Sequence, residues 1–271
     1  MLPILFLVAL NSMAQTKKQE VSIAVGGGFS SLDYKVEQGY MNYGAGLQAE
    51  LAYALYLGPN WSLGLGLAYQ RYNTRSYTGT VSGAYATEDF EGESFEFRYT
   101  AKHHQELQSL DYLNIPLKVQ YETKGTKTFF VSAGAMLGVP VRGAYQSGAS
   151  AINTSGYYSQ YNAELTEPVF AGFGKYGIQI PESRELGANI SYSAILETGL
   201  KHQLKGNSSM YIGLFLNYGL NTIITPQSKE LIMYHAENPA QFVYNNIFDA
   251  EMAKDVRLVA YGLKLKYSLG F

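Results

Sequence analysis

The chain has 271 residues, no cysteine and a formal net charge of −2, with 15% charged and 46% hydrophobic residues. The absence of cysteine excludes disulfides, thiolate metal sites and cysteine nucleophiles, and the near-neutral balance gives no electrostatic basis for binding nucleic acid. Tyr (24) and Gly (28) are in excess, no run reaches the ~18 apolar residues of a spanning helix, and this composition suits a β-barrel with aromatic girdles.

The long apolar run, Leu2 to Leu10, is followed by Asn11-Ser12-Met13-Ala14 and then Gln15. A short apolar core before small residues predicts a signal peptide over 1–14, removed before Gln15. The mature chain, 15–271, then alternates with a period of two, the mark of strands with one apolar face. Val21, Ile23, Val25 and Phe29 form the first strand, with a short loop from Ser30 to Asn42 after it. Tyr43 to Leu57 is the second, and Gly58-Pro59-Asn60 is a tight turn. Trp61 to Gln70 is the third.

A long polar loop is expected over 73–105, with residual alternation at Phe95, Phe97 and Tyr99. The fourth strand, Leu110 to Tyr121, points Leu113, Ile115, Leu117, Val119 and Tyr121 outward despite Pro116. The fifth, Phe129 to Val141, is followed by an irregular stretch over 143–185. The sixth has Ile190, Tyr192, Ala194, Leu196 and Leu200 outward, and the seventh has Met210 to Leu220. After another long loop, 225–255, the last strand ends on Phe271, with Val259, Tyr261, Leu263, Leu265, Tyr267, Leu269 and Phe271 on one face.

Eight strands with connections that alternate short and long predict an all-β fold. It is an eight-stranded antiparallel up-and-down transmembrane barrel, with short periplasmic turns and long extracellular loops. A tilted strand climbs roughly 2.4 Å per residue along the barrel axis, so eight to ten residues cross the ~25 Å apolar band. Aromatic residues fall at that spacing. Trp61, Tyr121, Phe129 and Phe271 are expected in the lower belt, and Phe29, Tyr43, Tyr69, Tyr192, Tyr218 and Tyr261 in the upper one.

Three sequence features resemble the Bacteroidota outer-membrane β-barrel family called PorT-like. They are LDYLNIPLKVQY followed by FFVSAGAMLGVPV, the Ala14-Gln15 junction, and the terminal KLKYSLGF. The resemblance implies an eight-stranded barrel of the OmpX or OmpA transmembrane type in the outer membrane of a Gram-negative bacterium. It also implies a terminal aromatic, Phe271, read as an assembly signal by the barrel-assembly machinery. Members mostly lack an assigned activity, and one branch assists protein secretion.

The inward faces carry Glu50, Gln70, Asn114, Lys118, Gln120, Arg142, Glu197, Lys201, Lys264 and Lys266. A lumen this narrow is filled by side chains, and charges inside it must pair. Lys264 is expected to meet Glu197 or Glu50, with Lys118, Lys201 or Arg142 completing the network. A narrow ion path is the functional alternative.

Of His103, His104, His202 and His235, His202 lies near a periplasmic turn on the lipid face without evident Ser and Asp partners for a hydrolytic triad, which weighs against a lipid A deacylase type of enzyme. They are expected at the surface. Two adjacent histidines on a loop make a weak metal site, and Glu88-Asp89-Phe90-Glu91-Gly92-Glu93 lacks calcium-loop spacing. No metal or cofactor is therefore expected. The Tyr-rich segment at Tyr157, Tyr158 and Tyr161 is the expected contact surface for an extracellular or secretion-machinery protein. Outer-membrane lipid and lipopolysaccharide are the other expected partners. The reading is a non-enzymatic barrel with a structural, adhesion or secretion-accessory role.

Overall fold

The computed structural model describes residues 19–125 and 127–271. The signal-peptide expectation at 1–14 and the Gln15 junction lie outside them. The described residues form 17 strands, more than the eight expected, because the segments read as loops are themselves largely sheet.

The long strands are β1 (Gln19–Val36), β3 (Ala45–Tyr56), β4 (Trp61–Thr78), β7 (Gln105–Glu122), β8 (Lys127–Gly148), β13 (Ser191–Gln203), β14 (Ser208–Gly219) and β17 (Ala253–Gly270). Each pairs antiparallel with the next, and β17 pairs back with β1, so the sheet closes on itself as a barrel. Closure removes the sheet edges. The first described residue and the last meet at one rim, where Gln19 N–H donates to Phe271 O (3.0 Å) and Phe271 N–H to Gln19 O (2.9 Å).

Alternation sets the two faces. Ile23, Leu47, Leu65, Leu117, Leu214 and Leu265 point out of the ring and are exposed, whereas Glu50, Gln70, Asn114, Lys118 and Lys264 between them are buried inside. A soluble protein does not show so broad an outer apolar surface; a lipid-facing band does. Pro116 points inward beside Gly66 and cannot donate to the ladder. The β4–β7 register accordingly steps from Leu65↔Leu117 to Ala68↔Asn114, with no pairing between.

Above the apolar band the strands continue. The expected loop at 30–42 is instead the end of β1 and a short strand, β2 (Gly39–Tyr43), which pairs with upper β4. The expected loop at 73–105 contains the end of β4, then β5 (Thr80–Glu88) and β6 (Ser94–Lys102). The 143–185 stretch holds the end of β8, then β9 (Ala151–Tyr158), β10 (Ala163–Leu165), β11 (Gly174–Tyr176) and β12 (Arg184–Glu185). A second sheet runs β10-β9-β6-β5, with β11 also on β9. In the 225–255 segment, β15 (Ile232–Met233) pairs with β16 (Val243–Tyr244).

Two apolar cores result. One fills the upper barrel with Leu32, Tyr72, Leu110, Tyr112, Ile223, Phe248, Leu258 and neighbours. The other lies under the second sheet, around Phe95, Phe97, Tyr99, Ile152, Phe173, Leu231 and Ile232. Period-two alternation at Phe95, Phe97 and Tyr99 is what puts three rings on one face of β6.

Candidate functional site

The lumen is organised in levels, each set by strand register. At the rim where Gln19 meets Phe271, Lys201 of β13 donates to Glu20 Oε1 (2.9 Å), to Glu122 Oε2 (2.9 Å) and to the Tyr56 hydroxyl (2.8 Å). Tyr211 donates to Glu20 Oε2 (2.8 Å), and the Lys201 ammonium lies 4.9 Å from its ring centre. Glu20 and Glu122 are not among the lumen residues expected from sequence. Both stand at strand ends but continue the inward parity of β1 and β7.

Above this level Lys266 sits over the Tyr211 ring at 3.8 Å and reaches Gln120 Oε1 at 3.4 Å. Higher again, Glu50, Lys118, Glu197 and Lys264 meet. Lys264 donates to Glu197 Oε1 (2.7 Å) and to Glu50; Lys118 donates to Glu197 Oε1 (3.1 Å) and to Glu50. All four are buried. These levels balance in charge: Glu20, Glu50, Glu122 and Glu197 face Lys118, Lys201, Lys264 and Lys266. Lys118, Lys201 and Lys264 are ion-paired with these carboxylates, as charges withdrawn from water must be, whereas Lys266 is held by the Tyr211 ring and the Gln120 amide oxygen. The void beside Glu197, Lys264 and Lys266 is about 10 Å³, at most room for one water. An amide layer follows, in which Asn217 Nδ2 donates to Gln70 Oε1 (2.8 Å). The upper apolar core closes the top.

Arg142 does not join the lumen. Asp111 pairs with Arg142 but Tyr112 pairs with Pro140, so Val141 is an extra residue on β8. A bulge of one residue inverts the side-chain parity beyond it. Arg142 is thereby turned to the outer wall, beside the Arg71–Asp111 ion pair (Nε–Oδ1 2.7 Å, Nη2–Oδ2 2.8 Å).

The aromatic residues Trp61, Tyr69, Tyr121, Phe129, Tyr218, Tyr261 and Phe271 all lie exposed on the outer face. Trp61 and Tyr121 are cross-strand partners with ring centres 5.0 Å apart. Phe29 and Tyr261 are paired likewise at 5.3 Å.

Above the band, Glu106 on upper β7 is fully buried. It accepts from Gln108 Nε2 (2.7 Å), Ser147 Oγ (2.7 Å) and the Ile247 N–H (3.1 Å). Burial pushes its carboxyl up to about 7, with the charge of Asp249 adding to the effect, while the three donors oppose it. His104 is also buried rather than at the surface. Its Nδ1 lies 3.2 Å from Thr78 Oγ1 and burial lowers it to about 4. His103 contacts Ser150 Oγ at 3.0 Å, and His202 is exposed. Among the described residues no group of three or more His, Asp and Glu could hold a metal ion.

The expected tyrosine-rich contact surface is split. Tyr158 is buried in β9, stacked on Phe95 and donating to Asp89 Oδ2 (2.9 Å). Tyr157 lies under the Arg98 guanidinium at 4.8 Å. Tyr161 is exposed and donates to Glu93 Oε1 (2.7 Å).

Among solved structures, the chain is similar to Neisserial surface protein A at 11% identity, over 95% of this chain and 100% of that one, with a TM-score of 0.40. It is similar to a major outer membrane protein of Thermus thermophilus at 11% identity, over 93% and 99%, with a TM-score of 0.39. It is also similar to Ail, the attachment invasion locus protein of Yersinia pestis, in complex with the heparin analogue sucrose octasulfate. That match has 13% identity over 94% and 100%, with a TM-score of 0.33. No curated protein matches. The family model described as "Outer membrane protein beta-barrel domain" matches residues 13–194, and the chain belongs to that family of outer-membrane β-barrels.

Proposed function

We propose that this protein is an eight-stranded outer-membrane barrel with a closed lumen, whose task is to hold a folded β-sheet at the cell surface as a contact module. It is neither a pore nor an enzyme in this reading. The observation that carries it is the filling of the lumen from end to end: paired charges below, amides in the middle, and the apolar core of Tyr72, Leu110 and Tyr112 above. Such a barrel does not conduct, and the void beside its lumen charges, about 10 Å³, takes no substrate. What it offers is the outer sheet, carried on the extended strands β4, β7 and β8. An adhesion or secretion-accessory role of the PorT-like kind fits a rigid surface module of this sort.

The test is reconstitution of the folded protein into planar bilayers, together with mass spectrometry of lipid A from cells that overproduce it. The expected result is no discrete ion conductance and an unchanged lipid A mass. Steady single-channel steps would replace the closed-lumen reading with a pore, and a shift in lipid A mass would replace it with an enzyme.

A further inference from the structure

The two edges of the outer sheet differ. Away from β6, β9 carries only β10 and β11, three residues each, with Pro168 soon after β10. Short strands and proline are ordinary ways to blunt a sheet edge. The other edge is β5, nine residues from Thr80 to Glu88, which pairs with β6 alone. It holds no proline, lysine or arginine, and its register with β6 runs from Thr80↔Lys102 to Glu88↔Ser94 without a bulge. Cover stops where β5 begins: β2 lies along upper β4 as far as Gly39↔Thr78, and Gly79 N–H donates to Gln38 O (3.3 Å). Beyond that point, among the described residues, no main chain bonds to the far side of β5.

In an antiparallel pair every second residue turns its N–H and C=O away from the partner strand, so β5 presents about four such residues over roughly 27 Å. The side chains at this margin are half covered. Val81 and Tyr85 pack against the outer core without being enclosed by it, whereas Phe95, Phe97 and Tyr99 on β6 are buried. Tyr99 lies under Gly83, where a β-carbon would meet its hydroxyl at 2.5 Å, and donates to Glu230 Oε2 (3.0 Å). The Tyr85 hydroxyl accepts the Tyr234 N–H (2.6 Å). β5 is thus held from beneath and from one side. A further strand beside it completes both the ladder and the burial.

The end of this edge farthest from the membrane is acidic. Glu88, Asp89, Glu91 and Glu93 stand at the β5–β6 turn, and none has a cation within ion-pair distance among the described residues. Arg98 on β6 is taken by Glu96 (2.6 Å) and Glu164 (3.2 Å). Phe90 in the same turn is 79% exposed, and its ring face is open to a cation. The register of β4 with β7 runs on into that of β5 with β6, from Tyr77↔Gln105 to Thr80↔Lys102, so β5 carries β4 outward. Two copies in one membrane both send β5 outward and can pair only in parallel, which sets the two acidic turns side by side. Charge therefore favours a cationic strand over a second copy.

We propose that the β5 edge takes up an extended cationic segment of a partner protein as an added strand, with main-chain hydrogen bonds along Thr80–Glu88 and lysine or arginine against Glu88, Glu91 and Phe90. The assignment rests on the contact-module reading and gives that module the chemistry of its partner. Main-chain pairing supplies affinity, and the half-covered margin at Val81 and Tyr85 selects apolar residues at alternate positions. The acidic turn fixes which end of the added strand is basic.

The experiment uses the full folded barrel in phosphatidylcholine vesicles, from preparations already shown to be non-conducting. Absence of binding then counts against the edge and leaves the contact-module reading standing. The probe is a fluorescent peptide of alternating Val and Thr that ends in Lys-Lys-Lys, read by fluorescence anisotropy against empty vesicles. Saturable binding is expected, about tenfold weaker when the tail is Glu-Glu-Glu and lost when the peptide backbone is N-methylated. Glu88→Gln combined with Glu91→Gln removes two exposed charges and is expected to weaken binding about fivefold. The chain has no cysteine, so single cysteines report position. Ala84→Cys is expected to react with a thiopyridyl-cysteine form of the peptide well ahead of Asn153→Cys, which lies on the same face two strands inward. Equal binding of the two tails overturns the cationic partner. Undiminished binding of the N-methylated peptide, or equal reaction at the two cysteines, overturns the edge. Ala84→Cys barrels that link to each other and exclude the peptide assign the edge to a second copy, and overturn the proposal as well.

Discussion

At the scale of single residues, the lumen is a network and not a set of separate pairs. Glu197 Oε1 accepts from both Lys264 and Lys118, and Glu50 accepts from the same two lysines. Removing one member leaves a buried charge without its partner, which costs ~3–5 kcal/mol. Lys264→Met, Glu197→Gln and the double variant, compared by unfolding in detergent, should therefore be strongly non-additive. The double variant is expected to lie nearer to either single variant than to their sum. Additivity within about 0.5 kcal/mol would show that Lys264 and Glu197 are not coupled. Parity along a strand is enough to place Glu50, Lys118, Glu197 and Lys264 on one face from sequence. It could not reveal Arg142, because the extra residue at Val141 leaves no mark in the pattern: Leu137, Val139 and Val141 alternate with Gly138, Pro140 and Arg142 without a break. Glu20 and Glu122 escape for another reason. They stand at strand ends, where the sequence pattern fades into polar turn residues although the ladder continues.

Among the elements, the segment around 244–249 is held onto upper β7 and β8 through the buried Glu106 carboxylate and the hydroxyls of Ser147 and Tyr145. Glu106 receives the Ile247 N–H, while Ser147 donates both to Glu106 and to Asn245 O (3.4 Å). The Glu106 carboxyl titrates near 7 in the folded protein, against an ordinary value of 4.5. Below about 4.5 both folded and unfolded states hold the proton. Between about 4.5 and 7 the unfolded state releases it while the folded state keeps it, so stability falls as pH rises through that window and is level above it. The change is worth roughly 3 kcal/mol at most. Hydrogen exchange of the 245–249 amides should thus be slower, after correction for intrinsic rates, at pH 5 than at pH 8. Glu106→Gln should abolish the difference, and a parent protein with equal protection at both pH values would contradict the assignment. Nothing in the sequence marks Glu106 as buried. It lies just past the run read as loop, 73–105, and besides Gln108 its partners come from β8 and from a segment about 140 positions away.

At the largest scale, the described residues form one closed sheet, one open sheet and the two-stranded pair β15–β16, over two apolar cores. Strand alternation, with the tight turn at Gly58-Pro59-Asn60, makes the barrel legible. The outer sheet is less so, because its strands are short, rich in Gly, Ser and Tyr, and pair across long sequence separations, as β6 does with β9. Such pairings are settled by which apolar faces can be buried together, and Phe97 is central to that burial. It is fully buried, with the rings of Tyr85, Phe95, Tyr99, Tyr234 and Phe242 around it at 5.4 to 6.5 Å between centres. Truncating a buried Phe to Ala costs ~3–5 kcal/mol through lost transfer energy and the cavity left behind. The upper-barrel core shares few residues with this cluster, Met252 being packed against both. The loss should accordingly stay local. Phe97→Ala in intact cells is expected to admit protease cleavage within 80–101 or 159–185, while the barrel keeps its heat-modifiable gel mobility and its assembled amount. If the mobility shift disappears along with the outer sheet, the two cores fold as one cooperative unit, and the outer sheet is then part of what holds the barrel together rather than a module mounted on it.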